Sequence, residues 1–319
     1  MSEWFVKAEG ETDSGHGCLP SKRPIKEHLR NGIVNLDKPS GPTSTTVSDW
    51  VKKILNANKA GHCGTLDPKV TGVLVVPIDN ATKVIPTLLP SPKTYVGTAR
   101  FHKDLPLKDI QSLFRQFTGT IYQKPPLRSA VVRKLRKRTI YSSEIIEKSG
   151  QDVLFQVKCE AGTYIRKLIH DIGTISCGAH MSELRRTAAA SFDESTLVTL
   201  QQLSEAQYLF KAKGDDSLLR KYIQPVETAV KSTPKIVVQD STVESLCHGA
   251  VLNVPGISKF QEFKIGERVA ILTLKGELIA LAESMIDSAK LNKASKGAAA
   301  KISRVVMEPG TYPRWKKDD

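Results

Sequence analysis

The chain has 319 residues and a formal net charge of +14, with 40% hydrophobic and 25% charged residues. These are globular values that allow one large core and a smaller second domain, and no apolar run approaches the roughly 18 residues a membrane span requires. The cationic excess, with a sequence pI of about 9.5, favours polyanionic partners and nucleic acid first, although a merely solubilising surface gives the same total.

Met1 to Gly17 mixes acids, glycines and single hydrophobes and has no charged-then-apolar leader, so a cytoplasmic location is expected. Cys18, Cys63, Cys159, Cys177 and Cys247 are scattered and never form a Cys-x-x-Cys pair. That argues against a disulfide framework or zinc ribbon; the cysteines are expected to be mostly buried small hydrophobes, and no metal site is predicted. Residues 1–31 are polar and weakly periodic, an extension that needs another surface, expected to be the second domain, to order it.

Regular structure is expected from Gly32. Ile33–Leu36 reads as a strand, Pro39, Gly41 and Pro42 force a turn, and Thr43-Ser44 caps a helix whose apolar face is Val47, Trp50, Val51, Ile54 and Leu55. Asn56 to Thr71 lacks periodicity and holds Gly61, Gly64 and Pro68, which marks a loop before a buried strand at Val73–Val76. Strands are predicted at Tyr95–Phe101, Ile140–Glu147 and Val153–Cys159, and helices at Leu107–Phe117 and Thr163–Ile175. Ile165, Leu168, Ile169 and Ile172 form the apolar stripe of the second helix, which puts Arg166 off the core face near its start.

A second unit is expected from Thr233-Pro234, with a strand at Lys235–Val238 and a short helix at Thr242–Cys247 ending at Gly249. Val269–Leu274 and Glu277–Ala282 flank Lys275-Gly276 as a two-residue hairpin turn, and Ile302–Met307 is a last strand. The expected division is therefore an extension to residue 31, a first domain over 32–232, a second domain over 233–310 and a basic tail over 311–319.

Seven lysines or arginines and no acid fall between Lys124 and Arg138, among Pro125-Pro126 and several apolar residues. A solvated basic face is one explanation; a proline-stiffened cationic loop that follows a phosphate backbone is the other. Asp67 stands before Pro68, a pairing most often found in plain turns, but His62, Gly64, Thr65 and Gly72 crowd the same loop, where close approach of another backbone is possible.

The run Gly61-His62-Cys63-Gly64-Thr65-Leu66-Asp67-Pro68-Lys69-Val70-Thr71-Gly72 resembles the catalytic loop of the TruB family of pseudouridine synthases. Asp37-Lys38-Pro39-Ser40-Gly41-Pro42-Thr43-Ser44, Lys93-Thr94-Tyr95, Ala161-Gly162-Thr163-Tyr164-Ile165-Arg166 and Leu184-Arg185-Arg186-Thr187 join it in the family order. Pro125 to Val131, Gly178 to Glu183, Cys247-His248-Gly249-Ala250 and Val254-Pro255-Gly256-Ile257 are similar to the archaeal, dyskerin-like branch, the catalytic subunit of box H/ACA guide-RNA particles with a C-terminal PUA domain. The resemblance runs from about Arg23 to Trp315. It departs at Ala188-Ala189-Ala190-Ser191, where the family usually has arginine, serine, glycine and proline, which removes one cation and one flexible turn. Thr45 and Thr46 replace a usual histidine and acid, and Cys63 a frequent glycine.

The resemblance implies an α+β fold: a pseudouridine synthase domain with a mixed, mostly antiparallel central sheet flanked by helices, plus a small β-barrel PUA domain, each with its own core. It implies isomerisation of uridine to pseudouridine without a cofactor. Asp67 would be the catalytic carboxylate, itself buried and paired with Arg166, acting as nucleophile, charge stabiliser or base. Tyr95 would stack on the uracil and help deprotonate C5. His62 would fill the space left by the flipped base; Lys38, grouped with it in substrate binding, would support the loop; Leu184 would line the pocket. Expected RNA contacts are Arg128, Arg133, Lys134, Arg136, Lys137, Gly249 and Ala250. The implied partners are an H/ACA guide RNA, rRNA and tRNA substrates, a small zinc-binding peptide subunit, a small β-barrel subunit and a kink-turn-binding subunit like a ribosomal protein; no membrane is involved. Standalone modification of uridine 55 in tRNA and a non-catalytic RNA-binding scaffold are the alternatives.

Overall fold

A computed structural model describes residues 3–125, 132 and 134–314. In chain order its strands are β1 (Trp4–Val6), β2 (Gly32–Lys38), β3 (Thr71–Pro77), β4 (Lys93–Phe101), β5 (Gly119–Gln123), β6 (Arg136–Ser149), β7 (Asp152–Cys159), β8 (Ala179–Ala189), β9 (Phe192–Asp193) and β10 (Ile223–Pro225). There follow β11 (Lys235–Val238), β12 (Leu252–Asn253), β13 (Ile257–Gln261), β14 (Arg268–Leu272), β15 (Leu278–Ser284) and β16 (Ala298–Val305). One sheet runs β10-β2-β3-β8-β4-β7-β6-β5, antiparallel except where β3 meets β8, with β9 added beside β8. The mixed, mostly antiparallel sheet is the one expected.

Strand β3 reads as an unbroken apolar run because both of its faces are covered. Leu74 and Val76 pack with Val47, Val51 and Leu55 of the helix Ser44–Leu55 and with Leu203 of the helix Leu200–Lys213, while Val73 and Val75 join a different core. On the far half of the sheet, Phe101, Phe155 and Val157 pack with Ile110 and Phe114 of the helix Leu107–Gln116 and with Ile165, Leu168, Ile169 and Ile172 of the helix Ile165–Thr174. Trp50, read as part of an apolar face, is instead exposed.

Strand β8 separates β3 from β4, and small residues on both neighbours make that approach possible. A Cβ on Gly72 would stand 2.2 Å from the Arg186 carbonyl oxygen, and one on Gly97 would stand 2.8 Å from both the Glu183 carbonyl oxygen and Leu184 Cδ1. Side chains at either position would push the strands apart. The turn from β8 to β9 is retained at Ala190-Ser191 although its glycine is missing: Ala190 sits at φ 55°, in the left-handed region. That conformation costs an L-residue about 1–2 kcal/mol.

The second sheet runs β1-β13-β11-β14-β15-β16-β12. Ile236, Leu252, Ile257, Phe260, Ile271, Ala280 and Ala300 come from six of its strands and meet in one core, so the sheet curls around it as a small barrel. Its opposite face is not free. Val237, Ala270, Leu272, Leu278 and Leu281 pack into the same core as Ile33, Val73 and Val75. The expectation that the two domains have wholly separate cores is corrected: alternation along β11, β14 and β15 sends every second apolar residue to the other domain. The β14–β15 hairpin is also longer than a two-residue turn. Thr273 N–H donates to the Glu277 carbonyl (2.9 Å) and Gly276, at φ 85°, closes the loop onto Thr273, leaving three residues between the flanking positions.

The extension is ordered by pairing β1 with β13, Phe5 opposite Phe260, and by a further helix at Ile25–Arg30. Arg23, almost fully buried, reaches Glu227 with two bonds of 2.9 and 2.7 Å. The same carboxylate accepts the Leu278 N–H at 2.8 Å. One acid therefore joins the extension, the end of the catalytic domain and the first residue of β15.

Candidate active site

The loop between the helix Ser44–Leu55 and β3 has no helix or strand ladder of its own, so its shape depends on what lies beneath it. Lys38, at the end of β2 and fully buried, donates to the carbonyls of Pro39, Pro68 and Val70, each at 2.9 Å. Burial lowers its pKa, while the nearby Asp67 carboxylate works the other way. With its ammonium given to three carbonyls, Lys38 supports the loop from beneath. Ser44, also buried, accepts the Leu66 N–H at 2.8 Å and donates to the Leu66 carbonyl at 3.2 Å. Val70 N–H closes a turn onto the Asp67 carbonyl at 3.0 Å. These anchors flank Asp67 on both sides and leave its side chain free to point outward.

Asp67 meets Arg166 at 2.9 Å, and their side chains are 55% and 59% exposed, respectively. The expected burial of Asp67 is therefore corrected. An exposed ion pair adds about 0–1 kcal/mol of stability, so the contact contributes little to holding the fold. Arg166 occupies the second position of the helix Ile165–Thr174, on the side away from the buried stripe, as the periodicity predicted.

Tyr95, half-buried on β4, lies close enough to Asp67 to feel its charge. Burial pushes its phenol above the ordinary value, and the positive charge of Arg186 opposes that shift. Leu184, half-buried on β8, is opposite Gly97 and packs against the core beneath Tyr95. His62 is half-buried in the loop, with Nδ1 out of solvent and without a partner; burial and then Arg186 lower its pKa. The structure thus places Asp67, Arg166, Tyr95, His62 and Leu184 around one stretch of surface, with Lys38 below.

Sequence reasoning passed over Arg186 and Ser44. Arg186 sits in a motif that was read for its leucine, and Ser44 was read only as a helix cap, a role that Thr43 in fact fills by accepting from Thr46 N–H. Two adjacent arginines in a strand must face opposite sides, and that is the signal that separates them. Arg185 is half-buried and pairs with Asp37 and Glu194, whereas Arg186 is buried.

Of the basic stretch, Arg128 and Arg133 lie outside the described residues. Lys134 and Lys137 are exposed and Arg136 half-exposed. Arg136 and Lys137 open β6 opposite Gln123 and Tyr122, so this part is a strand and not the loop expected. Gly249 and Ala250 are exposed just beyond the helix Asp240–Cys247, with open space above Gly249. Their N–H groups are already given to Leu246 and Ser245.

A mixed sheet that presents an aimed carboxylate beside an aromatic ring, and carries a small barrel at its flank, is the architecture of an RNA pseudouridine synthase. Family models match nearly all of residues 1–306. The TruB family pseudouridylate synthase N-terminal domain matches residues 52–165, the tRNA pseudouridylate synthase B C-terminal domain 166–231, the DKCLD (NUC011) domain 1–48 and the PUA domain 234–306. A probable tRNA pseudouridine synthase B from Methanosarcina barkeri is 52% identical over 316 residues, covering 98% of this chain and 94% of the relative. One from Archaeoglobus fulgidus is 47% identical, covering 99% of this chain and 98% of the relative. Among solved structures, a Cbf5-Nop10-Gar1 complex matches with a TM-score of 0.93 and 49% identity, covering 99% of this chain and 97% of that one. An H/ACA RNP bound to a substrate RNA containing 2'-deoxyuridine matches with a TM-score of 0.93 and 46% identity, covering 98% and 97%.

This chain belongs to the TruB family of pseudouridine synthases: it is an isomerase acting on uridine in RNA, with a PUA domain. The non-catalytic scaffold alternative is thereby set aside. No helix among the described residues is long and apolar enough to cross a membrane.

Proposed function

We propose that the chain is the catalytic subunit of a guide-RNA-directed H/ACA particle acting on rRNA, and that it also modifies uridine 55 of tRNA. The observation that carries this reading is full-length likeness, PUA domain and N-terminal extension included, to a protein solved in an H/ACA RNP with substrate RNA. Likeness to a chain in complex with Nop10 and Gar1 supports two small protein partners; the kink-turn-binding subunit rests on the resemblance of the sequence alone. The names of the curated relatives favour the second reading, a standalone tRNA enzyme.

In this reading the target uridine is flipped out of its helix at a cost of a few kcal/mol, and His62 takes its place. Asp67, held by the Lys38 and Ser44 contacts and aimed by Arg166, acts at the anomeric carbon while the bond to N1 breaks. Tyr95 stacks on the detached uracil while it turns, and then takes the C5 proton. Leu184 closes the apolar side. Lys134, Arg136 and Lys137, with Arg128 and Arg133, follow the RNA backbone, and the surface at Gly249 and Ala250 meets the guide's end. The exposure of Asp67 and Arg166 in the free protein fits a pocket that RNA completes.

The test is to map pseudouridine in tRNA and in guide-paired RNA with the purified full chain, with and without the partner proteins. Guide-paired product that needs the partners is expected; product in tRNA alone makes the standalone reading the correct one. Asp67→Asn is expected to abolish both products with RNA affinity nearly unchanged, and wild-type yield from that variant removes Asp67 from the chemistry.

A further inference from the structure

The helix Ile165–Thr174 carries Arg166 in its first turn, where helices fray, and Tyr164 at its N-cap gives no side-chain cap. The buried stripe sets which face the helix turns inward, but the backbone groups at this end still need partners. Another element supplies them. Gln123, the last residue of β5 and only 2% exposed, donates its Nε2 to the Tyr164 carbonyl at 3.1 Å and accepts the Tyr164 N–H on Oε1 at 2.9 Å. The same carbonyl accepts the Leu168 N–H at 3.0 Å, so both of its lone pairs are used.

Strand β6 holds the preceding turn in a similar manner. Glu160 N–H donates to the Thr139 carbonyl at 2.8 Å, and the Glu160 carboxylate accepts the Thr139 N–H at 3.0 Å and Arg138 Nη1 at 3.4 Å. The Thr163 hydroxyl closes the turn onto the Glu160 carbonyl at 2.7 Å. A Cβ on Gly162 would stand 3.1 Å from Arg138 Nη2, so the turn lies flush against the strand. Residues 160–164 are therefore clamped by both strands of the β5–β6 hairpin, with Gln123 opposite Arg136 at the end from which the basic stretch departs. Two residues beyond Tyr164, Arg166 meets Asp67 at 2.9 Å.

The chemistry of the clamp is specific. An amide can give and take a hydrogen bond at one residue's backbone, whereas methionine fills similar space with neither and ionised glutamate keeps only the acceptor. Ile165, Leu168, Ile169 and Ile172 already hold the helix to the sheet. What the two Gln123 bonds add is a fixed start to the helix, and Arg166 is the side chain there that meets Asp67.

We propose that Gln123 is a positioning residue for uridine isomerisation: by clamping the Tyr164 backbone it fixes the reach of Arg166 to Asp67. The inference rests on the roles given above to Asp67 and Arg166. It also means that the basic stretch and the arginine that aims the carboxylate hang from one hairpin.

The test is single-turnover kinetics of the full chain, with the partners it needs, at saturating substrate RNA and with RNA affinity measured in parallel. Gln123→Met is expected to slow turnover by about 10-fold, since a shift of the aiming group by a fraction of an ångström is enough for such a loss, with RNA affinity unchanged. Gln123→Glu should be slow at neutral pH and regain rate, relative to the wild type at the same pH, as acid protonates the carboxyl and restores a donor to the Tyr164 carbonyl. Arg166→Gln should also be slow, and in that background Gln123→Met should cost less than about twofold more, because the two act through one contact. A full loss in that background, or a wild-type rate in Gln123→Met, overturns the proposal and leaves Gln123 as a prop for the fold. A wild-type rate in Arg166→Gln means that the reading of Arg166 itself fails. Should Gln123→Met not fold, Gln123→Glu decides: recovery in acid supports the proposal, and a constant ratio to the wild type refutes it.

Discussion

Glu227→Ala should be the most destabilising single change at the junction of the domains. Arg23 and Glu227 are only 6% and 14% exposed in their side chains, and the removal of the acid strands a buried guanidinium. Breaking such a pair costs about 3–5 kcal/mol, and the orphaned Leu278 N–H about 1–3 kcal/mol more if taken alone. The two losses share one site and do not add fully, so roughly 4–6 kcal/mol is expected. At about 2–4 °C per kcal/mol for a domain of this size, the melting temperature should fall by roughly 8–24 °C in calorimetry. Arg23→Met combined with Glu227→Leu removes both charges and should recover most of the loss. A fall of under about 2 °C in Glu227→Ala, or a double variant no better than the single one, refutes the reasoning that charge burial locks the extension in place.

Three further outcomes follow from the geometry. Ala190→Gly should raise stability by about 0.5–1 kcal/mol, since glycine adopts the φ of 55° without strain; a lower melting temperature means that the Ala190 methyl group's packing outweighs the strain. Burial, helped by Arg186, lowers the Lys93 pKa to about 8. The folded state thus carries a penalty below pH 8 that fades as pH rises towards the unfolded value near 10.5. Denaturant titrations of the wild type and Lys93→Met should therefore show their difference moving in the wild type's favour by about 3 kcal/mol across that window; a flat difference contradicts the burial argument. Neutralising Lys134, Arg136 and Lys137 together should weaken RNA binding and reduce its salt slope by roughly one for each phosphate no longer neutralised. An unchanged slope makes the stretch a solvated face.

The sheet, most of its strands and the loop carrying Asp67 were legible because period-two runs such as Val153–Cys159 and glycine punctuation such as Gly61 and Gly64 are local signals. Strand β8 was not. Its Met181, Ser182, Glu183, Leu184, Arg185 and Arg186 show no clean alternation, since one arginine is exposed to ion pairs while the other is swallowed by a site. The shared interdomain core escaped for a related reason: Val237 and Leu272 look like barrel residues in sequence, and only the fold shows which face they serve. The exposure of Asp67 was not legible because its loop has no periodicity from which a buried face can be read.

The pairing of β1 with β13 also has a temporal side. Residues 4–6 leave the ribosome roughly 250 residues before their partners at 259–261, which at about 5–20 residues per second is a wait of some tens of seconds or less. Until β1 docks, β13 is an edge with unpaired backbone groups, open to pairing with another chain. Strand β1 thus waits for a partner made late in the chain, and a nascent chain stalled before Gln261 would carry an N-terminal segment with nowhere to go. Quality control that samples that segment would read out whether synthesis has passed β13.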